Sequence, residues 1–523
     1  MKTVVYLSEH SNCIKKEMTI ALNKNEKIEL FFYGKLFGKK HINIEQIVEF
    51  LYKKEYEKIL YIQGDFSFIV LGKEIAYVYC SGVGSYPLYY YKDEEELVIC
   101  DDFEKIAKNK HLKISNENLS VLCWGGNCLP YEGIEIFKED KFFRILSGKI
   151  ETIYEYRIKR EYDNLSFKEY VKIAREIVHN SVNDVITEDK IAVSLSGGVD
   201  SSVIAICLKN LGANFECYHW VSDLYSPVDE REQADELCKK NKIKINHIDI
   251  SRAADKNINY ISTDIDYYVP YNHGSFYWWD QTCKLATEQN CKYLFTGLKG
   301  DAHFGGFFSL LKLKDLSFKH LLWQMEYFIN SFTLPNRQAF KLKKETNQRL
   351  DYSILIMRRA DFINPKLISA LDTINKFDFF YQKESMKFNI FNKYNIYNVN
   401  PYANRKLYEF ACCIPHYFKS IPVSGQIYTK PILREAFKEE LPSSIYTRNY
   451  KSNFGMLSQK FCENNKDFIL DILGNGVLVG RGIVLPNKLV EVINDKTLLY
   501  RNAYTLIRSC FIEIWLKKGE KYV

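Results

Sequence analysis

The residues with the clearest chemical promise run from Ser194 to Ser202, reading Ser-Leu-Ser-Gly-Gly-Val-Asp-Ser-Ser. The segment follows an apolar run, Ile191 to Leu195, and precedes a helical pattern through Val203 to Leu211. Backbone N–H groups and the helix dipole can hold an anion at such a junction. Gly197 and Gly198 let the backbone approach phosphate oxygens, and Ser196, Ser201 and Ser202 add hydroxyl donors. Asp200 supplies carboxylate oxygen for a hard Mg²⁺ ion bridging those phosphates. Leu195, Val199 and Gly297 complete the candidate nucleotide-binding set. GxxxxGK[ST] is absent, so this is a phosphate loop of another kind than the Walker type.

The surrounding elements must place that loop at the end of a strand. After the first strand and helix come a strand at Phe215 to Trp220, a helix near Asp229 to Lys240 and a strand at Ile243 to Ile250. This βαβαβ order predicts a parallel sheet with its ligand beyond the carboxyl ends of the strands. Tyr293 to Thr296 reads as a further strand within a mostly helical remainder. Ser166 and Glu169 form a capping box, and Val171, Ala174, Val178 and Val182 give the helix behind it one buried stripe. Before a charged stretch at Arg157 to Asn164 the pattern is β-rich, with strands at Ile28 to Tyr33, Ser67 to Leu71, Ile75 to Tyr79 and Leu88 to Tyr91. The expected fold class is therefore α/β, with a β-rich α+β sandwich over 1–160 and a parallel-sheet domain over 161–523.

Ser194 to Ser202 resembles the signature of the N-type ATP pyrophosphatases (PP-loop enzymes), and the wider layout resembles their asparagine synthetase group. That group includes β-lactam synthetases and the macrolactam cyclases of lasso peptide pathways. The resemblance implies ATP cleavage between the α and β phosphates and an acyl-adenylate. Thr296 to Gly306 looks like the family's second metal segment, which makes Asp301 the partner of Asp200 in holding Mg²⁺. Lys430 to Ala436, Leu441-Pro442 with Ile445, and Arg448 to Gly455 follow the family's K-x-x-x-R, LP-x-x-I and R-x-K-x-G-F order. Lys451 matches the catalytic lysine, with one extra residue between it and Arg448. The implied catalytic residues are thus Lys451, Asp200 and Asp301. Asn400 to Ala411 resembles the P-F-L-D helix start, but the Glu and Arg usual before it are Tyr397 and Val399. Asp229 and Glu230 resemble a family pair, yet acidic residues suit any first helical turn, and they stay outside the candidate site. His219 and Trp220 fall near the family's adenine contacts; packing accounts for the Trp. Leu298 stands where asparagine synthetases carry Glu, and it cannot move a proton; His303, Lys299 or the substrate itself are left as alternatives.

The first 160 residues are similar to the family's N-terminal-nucleophile glutaminase domain at Leu30 to Phe37, Gly64 to Phe68, Gly84 to Tyr90 and Pro130 to Ile134. The chemistry is missing. Position 2 is Lys, the first Cys is Cys13, the Asn-Gly of the oxyanion hole is Tyr33-Gly34, and the Arg-Asp before the PLYY segment is Cys80-Ser81. The acceptor is then a free amine rather than glutamine nitrogen.

Composition excludes several other classes. Lys and Arg number 72 against 65 Asp and Glu without a dense basic tract, so no nucleic-acid partner is expected. The fourteen Cys form no CxxC pair, which suits a reduced cytoplasmic protein. Glu9, His10 and Asn12 break the apolar stretch that a signal peptide needs. Arg501, Asn502, Arg508 and Glu513 interrupt Thr497 to Leu516, so no membrane span is expected. The resulting expectation is a Mg-ATP-dependent amide ligase, in particular a lasso-type macrolactam synthetase acting on a ribosomal precursor peptide. A leader peptidase and a leader-binding protein would be its partners. The alternatives are ammonia-dependent asparagine formation, a non-catalytic scaffold and an RNA-modifying PP-loop protein.

Overall fold

The computed structural model describes residues 2–6, 16–23, 26–37, 43–82, 86–124, 128–224, 229–251, 276–305, 361–363, 390–415, 418–423, 426–448 and 455–519. Strands β1 (Lys2–Tyr6), β2 (Lys16–Asn23), β3 (Glu26–Leu36), β4 (Gly64–Leu71), β5 (Ile75–Cys80), β6 (Tyr89–Lys92), β7 (Glu96–Cys100), β8 (Glu135–Ile136), β9 (Lys141–Leu146) and β10 (Lys149–Glu155) build the N-terminal region. They form a four-stranded sheet, β1-β7-β6-β8, and a six-stranded sheet, β10-β9-β5-β4-β3-β2. Strand alternation sorts their side chains. Phe31 and Tyr33 of β3 join Leu97 and Ile99 of β7 in one buried cluster, while their neighbours Leu30 and Phe32 face the helices Ile44–Tyr52 and Tyr56–Leu60. Val98 and Cys100 face the other way, into a cluster shared with the C-terminal helix Lys496–Gly519. The two sheets therefore pack on each other, with helices on both outer faces.

The C-terminal region contains the expected parallel sheet. Its strands are β11 (Ile191–Ser194), β12 (Phe215–Val221), β13 (Ile245–Asp249), β14 (Tyr293–Phe295) and β15 (Tyr397–Val399), in the order β13-β12-β11-β14-β15. All four pairings are parallel. β15 was not anticipated: three residues before Pro401 carry too little pattern to read as a strand. A hairpin of β16 (Ser420–Val423) and β17 (Gln426–Thr429) follows.

The capping box at Ser166 is present, with Glu169 N–H to Ser166 Oγ and Ser166 N–H to Glu169 Oε2 both made. Ala174, Val178 and Val182 of that helix are buried as expected, but Val171 is only half-buried and Tyr170 takes its place. Tyr170 lies four residues before Ala174 and so shares its face, and its hydroxyl donates to Cys413 O at 2.9 Å. Among the described residues no helix is long and apolar enough to cross a membrane. The Arg508 and Glu513 that interrupt the last helix are fully buried, and Glu513 accepts from Val477 N–H at 2.6 Å and Leu478 N–H at 2.9 Å. They cap and pack rather than face solvent.

The contact between the N-terminal region and the last helix includes a buried carboxyl, Glu104 of the helix Phe103–Asn109, which accepts from Trp515 Nε1–H at 2.8 Å. Burial, with Asp102 adding to it against the Trp515 bond and Lys108, pushes Glu104 up to about 7 from 4.5. Folded Glu104 thus keeps its proton across a window in which the unfolded carboxyl has lost it, so stability falls as pH rises from about 4.5 to 7. Glu104→Gln keeps the acceptor for Trp515 without the charge. The variant is expected to be more stable at pH 8 by on the order of 1–3 kcal/mol, with a flatter stability profile between those pH values, as read from urea unfolding curves.

Candidate active site

Register brings the strand ends into one row. Ser194 pairs with Tyr218, and Val193 with Phe295, which pairs in turn with Val399. The segments that leave β11, β14 and β15 therefore emerge together at the carboxyl edge of the sheet, beside its central strand. Leu195 is buried and anchored, its N–H to Tyr218 O at 2.9 Å and its carbonyl to His219 Nδ1 at 2.7 Å. Burial holds His219 below the usual imidazole range, so it underlies the loop as a neutral donor.

Gly197 has φ +74°, which favours glycine, and a Cβ there would meet Glu230 Cβ at 2.9 Å. Gly198 then caps the helix Val199–Asn210 without a side chain of its own, and Val199 is buried behind it. Ser196 N–H donates to Ser201 Oγ at 3.0 Å, and the two hydroxyl oxygens lie 3.1 Å apart, Ser196 being exposed and Ser201 buried behind it. Ser202 is fully buried and its hydroxyl donates to Gly198 O at 2.7 Å, so it braces the loop from within.

The second segment closes over Asp200. A Cβ on Gly297 would lie 2.8 Å from Ser201 N, and one on Gly300 would lie 2.5 Å from Asp200 Oδ1. Asp301 follows on the short helix Gly300–Phe304. Asp200 and Asp301 converge on one ammonium, that of Lys430, which pairs with Asp200 Oδ2 and lies 2.7 Å from Asp301 Oδ1. Burial works against the charge on Lys430, but the two carboxylates outweigh it and raise the group above the ordinary lysine range.

Lys430 is the residue that sequence reasoning did not place in the site. It lies 230 positions from Asp200, between β17 and the helix Pro431–Ala436. Its backbone is left-handed, φ 60°, as is that of Lys299 at φ 68°, and each sits just before a short helix that borders the carboxylates. Left-handed backbone at two non-glycine residues is held only where surrounding contacts enforce it. Arg434 supplies some of those contacts: it is buried and donates from Nε to Thr429 O at 2.8 Å and from Nη1 to Tyr446 O at 2.8 Å. Glu230 was also left out. It packs on Gly197 and forms a buried ion pair with Arg448, which ties the loop to the last described residue before position 451. Lys451 itself lies outside the described residues.

His303 is buried, with Nε2 at 2.9 Å from Tyr402 O, which makes that nitrogen a donor to backbone. Leu298 is 45% exposed and lines a cleft with Asn400, Ala403, Gln63 and Asp65. Trp220 donates to Thr282 Oγ1 at 2.8 Å and stands edge-on to Trp279, which is core packing.

The donor set suits a hard divalent cation. Two carboxylates meet where the fold already holds a positive charge, and among the described residues no group of three or more His, Cys, Asp or Glu offers a softer or fuller cage. One or two carboxylates, completed by phosphate oxygens and water, is the usual protein share of a Mg²⁺ site.

Among solved structures the chain is similar to glutamine phosphoribosylpyrophosphate amidotransferase from B. subtilis, at 11% identity over 39% of this chain and 48% of that one, TM-score 0.21. The chain thus spans about half the length of that protein. It is similar also to NH3-dependent NAD synthetase from Campylobacter jejuni, at 15% identity over 37% of this chain and 91% of that one, TM-score 0.21. NMN synthetase from Francisella tularensis matches at 16% identity over 44% of this chain and 97% of that one, TM-score 0.19. No curated protein matches the chain. The family model described as asparagine synthase matches residues 174–517, which is more than half of the chain and includes the phosphate loop, both aspartates and Lys430. The chain belongs to the asparagine synthase family.

Proposed function

We propose that the chain adenylates a carboxylate with Mg-ATP and passes it to a free amine, forming an amide bond with release of AMP and pyrophosphate. The observation that carries this reading is the convergence of Asp200 and Asp301 on Lys430 beside the Ser196–Ser202 loop. In this reading Gly197, Gly198, Ser196 and Ser201 bind phosphate oxygens, and Asp200 and Asp301 hold Mg²⁺. The ion supplies neutralisation of charge on the departing pyrophosphate. Lys430 keeps the two carboxylates together and gives up its place, wholly or in part, when the ion binds. Lys451 is assigned to the charge that develops at the α phosphate, on the family resemblance alone.

The acceptor follows from what the first 160 residues lack. Tyr33 is buried in the sheet core, and a Cβ added to Gly34, whose φ is +111°, would fall 2.8 Å from Phe66 Cα, so this stretch of β3 serves packing. Cys80 is fully buried, and burial pushes its thiol up to about 12, far from a thiolate nucleophile. We therefore read residues 1–160 as an amidotransferase-like domain without glutaminase activity, and 161–523 as the adenylating domain. Leu298 beside the aspartates offers no proton acceptor, which disfavours ammonia activated at that position. The substrate most consistent with a tethered amine is a ribosomal peptide whose own N-terminus closes a lasso-type macrolactam, where effective concentration does much of the work. A leader peptidase, a leader-binding protein and a cytoplasmic setting belong to this reading.

Incubation with ATP, Mg²⁺ and candidate precursor peptides, or with aspartate and ammonia, tests it. AMP formation that depends on peptide, loss of one water from the peptide, and silence of Asp200→Ala are expected. Aspartate-dependent AMP with asparagine formed would replace the macrolactam reading, and AMP from no acid would remove adenylation itself.

A further inference from the structure

Tyr402 sits where the two carboxylate segments meet. Its hydroxyl donates to Asp200 O at 3.1 Å, and its carbonyl accepts from His303 Nε2 at 2.9 Å, two residues beyond Asp301 on the same short helix. One fully buried residue thus touches the segments of both aspartates, Asp200's through its hydroxyl and Asp301's through its backbone carbonyl.

The helix that follows it, Arg405–Cys413, is held from the other region of the chain. Arg405, 3% exposed at its side chain, forms a two-pronged ion pair with Asp140, with Nη1 to Oδ2 at 3.0 Å. It also donates from Nε to Leu60 O at 2.9 Å and covers the ring of Tyr156 at 4.3 Å. Asn404 Nδ2 donates to Gln63 Oε1 at 3.1 Å, and Glu409 Oε1 accepts from the hydroxyls of Tyr61 at 2.5 Å and Tyr156 at 2.6 Å. All of these partners lie between residues 60 and 156. A planar guanidinium fork fixes orientation as well as distance, and both are needed to aim Tyr402 three residues away.

We propose that the N-terminal region is a positioning element for the adenylating centre, acting through Arg405 and Tyr402 to keep Asp200 and Asp301 at cation-binding separation. This rests on the adenylation reading above. It gives a domain without glutaminase chemistry a direct part in the reaction and makes Arg405 and Tyr402 positioning residues. Asp140 accepts from Gly82 N–H at 2.8 Å as well, so the backbone at Gly82 is fastened to the same pair.

The test uses the full chain with α,β-methylene-ATP and Mn²⁺, free Mn²⁺ being read by electron paramagnetic resonance. Arg405→Gln and Tyr402→Phe are each expected to weaken Mn²⁺ binding by about tenfold, and the double variant by no more than either alone, because the two residues act in series. Arg405→Lys should remain weak, since a point charge cannot replace the fork. Lys406→Ala, exposed on the same helix, should match the unaltered chain. Circular dichroism establishes that each variant is folded. If Arg405→Gln does not fold, Asp140→Asn replaces it, since it leaves the Arg405 bond to Leu60 in place and should still lower Mn²⁺ affinity several-fold. Folded Arg405 or Asp140 variants with unaltered affinity, or losses from Arg405 and Tyr402 that simply add, would overturn the positioning role. Absence of nucleotide-dependent Mn²⁺ binding in the unaltered chain would overturn the adenylation reading, and the proposal with it, so the two failures are told apart.

Discussion

Lys430→Met is expected to abolish AMP release to within about a hundredth of the original rate, while leaving a folded protein that Mg²⁺ stabilises more strongly than it stabilises the unaltered chain. The reasoning starts from charge. Lys430 is buried between Asp200 and Asp301, and methionine matches its length without its ammonium. The two carboxylates then lose the ammonium between them. Breaking a buried pair costs on the order of 3 kcal/mol, and less here because the Asp301 side chain is 41% exposed to solvent.

Two further consequences separate this account from simple loss of packing. Without the ammonium, one carboxylate takes a proton more readily, so the variant should regain stability as pH falls through the carboxylate range, whereas a cavity or packing defect would respond to pH no differently from the unaltered chain. Mg²⁺ also no longer competes with the Lys430 ammonium for the carboxylates, so its stabilising shift in unfolding temperature should be larger in Lys430→Met. Activity retained by the variant, or equal Mg²⁺ shifts in both proteins, would remove Lys430 from the centre. In the unaltered chain the raised Lys430 contributes stability that is complete below about pH 10.5 and is lost only as pH climbs beyond that value.

Why Lys430 escaped the sequence while Ser194 to Ser202 did not is a matter of range. The loop is contiguous: a strand, two glycines, three hydroxyls and a carboxylate follow one another, and the physics that makes them a phosphate loop is local. The β11-to-β13 order was legible for the same reason, since each element carries its own periodicity. Lys430 belongs to the site because a hairpin and a left-handed residue return the chain to β11 from 230 positions away; the K-x-x-x-R match marks the residue but does not tell which carboxylates it will meet. Glu230 shows a second way of missing a residue. Acidic residues are favoured in a first helical turn whatever their neighbours, so its type carried no information until Gly197 and Arg448 were seen against it. Arg405 and Glu409 are a third case: a charged pair four apart on a helix reads as a solvated face, yet both are buried against the N-terminal region.

Gly300→Ala should be nearly as damaging as loss of Lys430, by a different route. The backbone at Gly300 is not left-handed, so the cost of a side chain there is steric alone. Its Cβ would fall 2.5 Å from Asp200 Oδ1 and 2.7 Å from Asp200 Cβ, and the latter cannot give way, since Asp200 is fixed in the first turn of the helix Val199–Asn210. Either the carboxylate or the segment carrying Asp301 must move. A displacement of roughly 1 Å at a reacting centre commonly costs about a hundredfold in rate, and that is the loss expected in AMP release. Gly212→Ala is the matched control: Gly212 has φ +69° with nothing within 4 Å of an added Cβ, so alanine there strains the backbone and touches no neighbour. It should lower stability by about 1 kcal/mol and leave the rate alone. ATP affinity measured without divalent cation should hold in both variants, because the glycines and hydroxyls at 196–201 are untouched. Equal rates in Gly300→Ala and Gly212→Ala would mean that the closeness of Gly300 to Asp200 has no part in the reaction, and the pairing of Asp200 with Asp301 would rest on Lys430 alone.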